Sequence, residues 1–378
     1  MRTVRLRPVR TLVISDLHLG AGSGSDLLRR AELREPLVEA VREVDRLVIL
    51  GDGLELRDGP HRNAAAIAAP LFEDLGRALG ADGELLLLGG NHDHGLVAGW
   101  IDGRLMTEPA GFLALEQRFE PADAGPLAAA LAEHARPART QLAYPGVWLR
   151  GDVYAIHGHY SDLHATVPTF ERLAAGAMAR WIVKLPSDGA APDDYEAALA
   201  PLYAWIHALT QRSDHTLVSA GTGASARAWV AMGGRGRGKR PVRTAALNAG
   251  FRAAVAAINA IGLGPVAPDL SGAGLRRGYL LGFAEVVRRL NIDAPHVIWG
   301  HSHRSGPWPG DDLAEWTTHA GGRILNTGSW VYQPHFLSPE PNRSPYWPGT
   351  AVLIDESGPP ALVRLLGERG HQELRPPG

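Results

Sequence analysis

Five short stretches of the sequence place metal-binding residue types directly after runs of apolar residues. In chain order they are Asp16-Leu17-His18, Gly51-Asp52, Gly90-Asn91-His92-Asp93, His157-Gly158 and Gly300-His301-Ser302-His303. Carboxylate, amide and imidazole groups suit Mn, Fe, Zn, Ni or Co. Cysteine is absent from the 378 residues, which excludes thiolate ligands and disulfides. The residues therefore indicate a metal site with oxygen and nitrogen ligands.

The number of candidate ligands indicates more than one ion. One ion takes about four to six ligands, whereas the five stretches offer more. The candidates are Asp16, His18, Asp52, Asn91, His92, His157, His301 and His303. This set predicts two ions about 3.5–4 Å apart, an arrangement used for phosphoryl transfer. Asp52 is the expected bridge, because a carboxylate offers one oxygen to each ion.

The apolar runs before these residues predict the strands that position them. The runs lie in TLVISDLH, RLVILGDG, ELLLLGGNHDH, DVYAIHGH and HVIWGHSH. Nearly continuous apolar runs of this length are typical of buried strands. Helical patterns separate the first three runs, which predicts a β-α-β-α-β opening. Since α/β sheets place their sites beyond the carboxyl ends of the strands, the ligands are expected to converge at one edge.

The middle of the chain has a different pattern. Residues 166–293 are rich in alanine and mostly helical in periodicity, which predicts a helical insertion that caps the site. The remaining residues, 1–165 and 294–378, form the predicted core domain. The insertion contains a basic run with Arg235, Arg237, Lys239, Arg240 and Arg243. This run is open to three interpretations: a phosphate-gathering arm, a membrane-surface contact or a disordered loop.

The five stretches, taken in order, resemble the motifs of the calcineurin-like metallophosphoesterases. That family carries D-x-H, G-D, G-N-H-[DE], a lone H and G-H-x-H, each after a strand, and every motif is present here. The resemblance covers about residues 10–165 and 294–365 and does not extend to the helical insertion. It implies an α/β fold arranged as a four-layer α/β/β/α sandwich of two mixed sheets. It also implies two metal ions, with Mn, Zn or Fe expected.

The resemblance assigns a role to each motif residue. The first metal would be held by Asp16, His18 and His303, the second by Asn91, His157 and His301, and Asp52 would bridge them. A hydroxide between the ions would attack the phosphorus atom. His92 would give a proton to the leaving group, and Asp93 would orient His92. The expected activity is hydrolysis of a phosphate mono- or diester.

Two other functions fit parts of the pattern. A catalytically inactive scaffold or binding protein could keep the fold, but such proteins should lose ligands, and no motif residue is missing. A metal-dependent amidohydrolase on a TIM barrel also uses H-x-H. There the motif follows the first strand, whereas here it comes last.

Composition limits the partners and the location. The formal net charge of −2 and the pI of about 6.8 argue against nucleic acid. A phosphorylated small-molecule or lipid-like substrate is expected. A peripheral membrane contact through the insertion stays possible, and the sequence does not determine the oligomeric state. The lack of cysteine and of a signal-peptide apolar segment fits a cytoplasmic protein.

The tetrapeptide Ser15-Asp16-Leu17-His18 recurs as Ser161-Asp162-Leu163-His164. The first copy directly follows a predicted strand, but the second lies beyond His157, where the chain turns towards the insertion. We therefore expect the second copy on a loop or at a helix start. There Asp162 and His164 should not bind metal, and they should at most border the substrate.

Overall fold

The structure is a computed structural model and describes residues 9–107, 111–210 and 241–376. The described part of the chain contains one ten-stranded sheet. Its strands are β1 Thr11–Ile14, β2 Arg46–Leu50, β3 Glu84–Leu88, β4 Glu116–Phe119, β5 Arg139–Arg150, β6 Val153–Ile156, β7 His296–Trp299, β8 Arg323–Asn326, β9 Thr350–Ile354 and β10 Ala361–Arg364.

Ten α-helices lie in the same described ranges. They are α1 Ala31–Arg42, α2 His61–Leu79, α3 Ala98–Leu105, α4 Pro121–Ala124, α5 Pro126–His134, α6 Phe170–Trp181, α7 Pro192–Thr210, α8 Pro241–Ala260, α9 Gly272–Arg289 and α10 His371–Leu374. None of the helices described is long and apolar enough to cross a membrane. The basic run of residues 235–240 lies outside the described residues, and Arg243 falls within α8.

The sheet is continuous because β5 belongs to both of its halves. The strand order is β10-β9-β1-β2-β3-β5-β6-β7-β8, with β4 paired to β5. The first part of β5 runs parallel to β3, and its last part forms an antiparallel hairpin with β6. The predicted β-α-β-α-β opening is present as parallel β1, β2 and β3. The twelve-residue β5 carries the hydrogen bonding across, so the strands form one curled sheet, and the four-layer arrangement of two mixed sheets stays a prediction.

The central strands are buried on both faces, which explains their nearly continuous apolar sequences. Leu12 and Ile14 of β1 belong to a core cluster shared with α1 and α2. Val13 points the other way, because successive side chains of a strand alternate. It joins a second cluster that also contains Val153 of β6 and Ile298 of β7. This inner cluster therefore lies between the two halves of the curled sheet.

Helices from the predicted insertion cover the outer face of β6 and β7. Leu199 of α7 and Phe283 of α9 share a third core cluster with Val297 and Trp299 of β7. The Phe283 and Trp299 rings stack with centroids 4.3 Å apart. The boundaries 166 and 293 stay a prediction. The contacts nevertheless make α7 and α9 part of the same hydrophobic core as the strands.

A buried carboxylate fixes α7 against the core. Glu196 accepts hydrogen bonds from the hydroxyls of Tyr144 and Tyr160 and lies 3.0 Å from His94 Nε2. Burial alone would raise the pKa of Glu196, but these hydrogen bonds and the charge of His94 lower it. Since His94 follows β3 and Tyr160 follows β6, one side chain of α7 holds two of the loops that carry predicted ligands.

Candidate metal centre

The predicted ligands lie directly beyond the carboxyl ends of β1, β2, β3, β6 and β7. Five of them have a left-handed backbone, which costs a residue with a Cβ atom about 1–2 kcal/mol. These residues are Asp16 (φ 55°), His18 (φ 47°), Asp52 (φ 51°), His301 (φ 64°) and His303 (φ 57°). Such strained positions persist only where the surroundings enforce them, and they cluster at functional sites. Here the His18 N–H donates to the Asp52 carbonyl at 2.9 Å and locks the two loops together.

The first group of ligand atoms comprises Asp16, His18 and His303, which lie within 4.8 Å of one another. His303 Nε2 is 3.1 Å from His18 Nε2 and 3.4 Å from Asp16 Oδ1. The second oxygen of Asp16 accepts hydrogen bonds from the Ser15 hydroxyl and the His301 N–H. Oδ1 is buried and has no hydrogen bond within the described part of the chain. A cation at this position would satisfy Oδ1 and both imidazoles.

The second group comprises Asp52, His157 and His301, with Asn91 beside them. His157 Nδ1–H donates to the Leu50 carbonyl at 2.8 Å, so Nε2 keeps its lone pair for a ligand. Asn91 Oδ1 lies 3.3 Å from His157 Nε2 and 3.1 Å from His301 Nδ1. Without a cation, a rotated amide would donate its N–H groups to these atoms. Asn91 Oδ1 would be available as a ligand to a cation held by Asp52, His157 and His301.

Asp52, the predicted bridge, belongs to the second group and also approaches the first. Its Oδ2 is 3.3 Å from His157 Nε2 and 3.8 Å from His18 Nε2. Its Oδ1 accepts a hydrogen bond of 2.8 Å from the His92 N–H, which fixes the carboxylate. Burial alone would raise the pKa of Asp52, but the charges of His157 and His92 hold it well below its usual value.

Two of the predicted imidazole ligands attract protons, whereas burial lowers the pKa of a third, His303, to about 4. Burial alone would lower the pKa of His18, but the hydrogen bond to Glu55 and the charge of Asp52 raise it to about 9. The pKa of His157 is also raised to about 9, because Asp52 outweighs the effect of burial. Protons therefore compete with metal for these nitrogens, and metal binding would release the protons.

Glu55 was missed in the sequence, although it lies only three residues after Asp52. Its Oε2 is 3.0 Å from His18 Nδ1 and 2.7 Å from His92 Nδ1. His18, Glu55 and His92 have metal-ligand spacing, but hydrogen bonds already account for their approach. Burial alone would raise the pKa of Glu55, but the charge of His92 and the two imidazole hydrogen bonds lower it strongly. Glu55 thus orients a predicted ligand and the predicted proton donor at once.

Asp93 makes different contacts from those expected of an orienting residue. Its carboxylate accepts from four backbone N–H groups, at Asp52 (3.1 Å), Gly53 (2.8 Å), Leu54 (3.2 Å) and Gly90 (2.7 Å). Burial and the charge of Asp52 raise the pKa of Asp93 to about 6. Asp93 joins the loops after β2 and β3, and the hydrogen bond that orients the His92 ring comes from Glu55.

The first three residues of the second Ser-Asp-Leu-His copy end a 3-10 helix, His159–Leu163, that follows the His157 loop, and His164 caps this helix. Asp162 Oδ1 is 2.9 Å from His301 Nε2, so it contacts the ring nitrogen opposite Asn91. His164 points elsewhere and lies 2.9 Å from the Tyr195 hydroxyl. Neither residue joins a group with metal-ligand spacing among the described residues. Asp162 orients a ligand, a contact that the spacing of the copy did not reveal.

Replacing Asp162 by alanine is therefore expected to weaken metal binding at the second position about 10–100-fold, because His301 loses the partner that fixes its ring. His164→Ala is the matched control and should leave metal affinity at the wild-type value. Titration of the metal-free variants with Mn or Zn by calorimetry measures both. Equal affinities in Asp162→Ala and wild type would contradict the orienting role.

Comparison with known proteins assigns the chain to a class. Residues 9–216 match the model of the calcineurin-like phosphoesterase family. The match spans more than half of the chain, and the protein belongs to this family, which confirms the resemblance read from the motifs. Among solved structures, a dimetal phosphatase from Danio rerio is similar, with 11% identity and a TM-score of 0.33 over 95% of this chain and 99% of that one. No curated protein matches.

Proposed function

We propose that the protein is a dinuclear metal-dependent phosphoesterase that hydrolyses a phosphate mono- or diester. Membership of the calcineurin-like phosphoesterase family supports this proposal. The observation that carries it is the position of Asp52 Oδ2, within 3.8 Å of a nitrogen from each of the two ligand groups. A carboxylate shared between two groups of ligands suits two divalent ions better than one.

The residues present fit two ions. Asp16, His18 and His303 would hold one ion, Asn91, His157 and His301 the other, and Asp52 both. Asp16 Oδ1 is buried and has no hydrogen bond in the described chain. Asn91 Oδ1 faces imidazole nitrogens that can also act as acceptors. Positive charge at these positions explains both features. When bound, the metals would polarise the phosphoryl oxygens and lower the pKa of water. The donor set suits Mn, Zn or Fe.

His92 is proposed to donate a proton to the leaving-group oxygen as its bond to phosphorus breaks. Glu55 holds His92 Nδ1 at 2.7 Å, which leaves Nε2 to face the substrate. An Arg57 Nη1–H donates to that nitrogen at 3.4 Å; with Nε2 protonated and a substrate oxygen beside it, Arg57 would stabilise negative charge on the same side. The proton passes from Nε2 to the departing oxygen, so the alcohol leaves neutral and Glu55 stabilises the imidazole throughout.

The competing functions have less support. A TIM-barrel amidohydrolase requires eight parallel strands. Here β5 is antiparallel to β6, and β9 is antiparallel to β10. An inactive scaffold would be favoured by a missing ligand, and all seven predicted ligands approach one another.

We also propose the four-layer α/β/β/α arrangement. It is supported by one core cluster between the halves of the sheet and by a helix-bearing cluster outside each half.

The partner and the location are part of the same proposal. We propose a phosphorylated small-molecule or lipid-like substrate in the cytoplasm. Nucleic acid is disfavoured by the near-neutral net charge.

A metal-dependent substrate panel tests the activity. Metal-free protein loaded with Mn, Zn or Fe should bind about two ions per chain and hydrolyse phosphate esters only when loaded. Plasma emission spectrometry measures the metal and phosphate release measures turnover. Hydrolysis that survives complete chelation would contradict the proposal. Two bound ions with no hydrolysis of any mono- or diester would favour the inactive scaffold.

A further inference from the structure

A cavity of about 870 Å³ opens over the metal centre. Its floor includes Asp52, Asn91, His92, His301 and His303. Cavities of about 300–1,000 Å³ enclose ligands of drug size. A phosphoryl group bound at the floor would leave most of this volume for the rest of the substrate.

One wall of the cavity comes from the helical region and is mainly apolar. It includes Val167, Phe251 of α8, and Leu275 and Tyr279 of α9. The Tyr279 ring lies edge-on to His301, with centroids 6.5 Å apart. The apolar wall therefore starts beside a predicted metal ligand.

A second apolar part of the cavity lining comes from the segment between β8 and β9. It includes Val331, Tyr332, Phe336 and Tyr346. The Phe336 and Tyr346 rings stack with centroids 4.9 Å apart, so they form a continuous aromatic surface. Two apolar surfaces beside one set of polar residues in the same cavity suit a ligand with a phosphate at one end and an apolar body.

We propose that this cavity binds the alcohol part of the phosphate ester and selects substrates whose alcohol is an extended apolar group. The inference rests on the proposed phosphoesterase function. The phosphate would be fixed by the metal centre, and the apolar body would be removed from water between Leu275 and Phe251 on one side and Tyr332 and Tyr346 on the other. Each methylene that enters the cavity should strengthen binding about two- to fourfold.

A homologous series of soluble alkyl phosphates tests the proposal. Ethyl, butyl, hexyl and octyl alcohols are similarly poor leaving groups, so their esters differ mainly in apolar surface. The metal-loaded protein should show kcat/KM rising about two- to fourfold per methylene until the cavity is filled. Octylphosphonate, which is not hydrolysed, should bind more tightly than ethylphosphonate by calorimetry. A flat series in both measurements would overturn the apolar site.

Failure of the two proposals can be told apart. If no ester is hydrolysed by metal-loaded protein, including bis(para-nitrophenyl) phosphate, the phosphoesterase function fails. If the whole series is hydrolysed at equal kcat/KM, only the apolar site fails. A vesicle containing phosphatidic acid separates two sources of the substrate. Its hydrolysis indicates a membrane lipid, whereas hydrolysis of the soluble esters alone, with kcat/KM rising along the series, indicates a soluble apolar ester, and both outcomes support an apolar alcohol.

Variants of one wall locate the selectivity. Leu275→Asp should reduce the octyl-to-ethyl ratio of kcat/KM about tenfold, because a carboxylate in the wall disfavours apolar contact. Phe251→Ala removes apolar surface without adding charge and should reduce the ratio in the same direction, which keeps the test valid if Leu275→Asp does not fold. Leu281→Asp is the matched control on α9, where Leu281 is 58% exposed. An unchanged ratio in both wall variants would overturn the proposal.

Discussion

Replacing Asp52 by asparagine is expected to remove metal and activity together. Asparagine keeps the size of the side chain and can still accept the His92 N–H that Asp52 Oδ1 accepts at 2.8 Å. It loses the negative charge that both ligand groups share through Oδ2. We expect fewer than about one ion per chain after loading and turnover reduced about a thousandfold. Metal analysis and phosphate release measure the two effects.

Glu84→Gln provides the matched control for Asp52→Asn. Glu84 is also a buried carboxylate, but it lies at the opposite end of β3 and pairs with Arg46 at 2.5 Å. Its replacement should lower thermal stability while the metal content stays near two ions. If Asp52→Asn protein keeps both ions and normal turnover, the bridging role is wrong.

Replacing His92 by alanine is expected to reduce turnover while leaving metal bound. The His92 ring contacts Glu55 and is not among the seven assigned ligands, so both ions should remain. Loss of a proton donor should slow an alkyl ester, whose alkoxide leaves poorly, about 10²–10⁴-fold. A nitrophenyl ester needs little protonation and should slow about tenfold or less. The two esters, assayed side by side, measure the difference.

Glu55→Gln separates proton donation from ligand orientation. Glu55 holds both His92 and the ligand His18, so this change should weaken metal binding as well as slow the alkyl ester. His92→Ala should affect only the second quantity. Equal losses for the alkyl and nitrophenyl esters in His92→Ala would mean that His92 positions the substrate and does not donate a proton.

The sequence by itself determined the strands and the motif residues that follow them, which are the predicted ligands. Asp16, Asp52 and His157 each follow a short apolar run, and such a run has few alternatives to a buried strand. The end of a strand fixes the next one or two residues locally, so residue type and spacing were enough to predict the site. The hairpin between β5 and β6 was predictable for the same local reason, from the turn residues at 150–152.

The tertiary structure decided which side chains support the ligands. Asp162 and His301 are 139 residues apart, and no spacing rule links them. Glu55 is close to Asp52 in sequence, yet its role depends on His18 and His92 arriving from other strands. The continuous sheet depends on β5 pairing along its whole length. The apolar cavity depends on α9 and the segment before β9 lining the same space. Local sequence constrains only neighbouring dihedral angles, whereas these contacts arise from packing of the whole core.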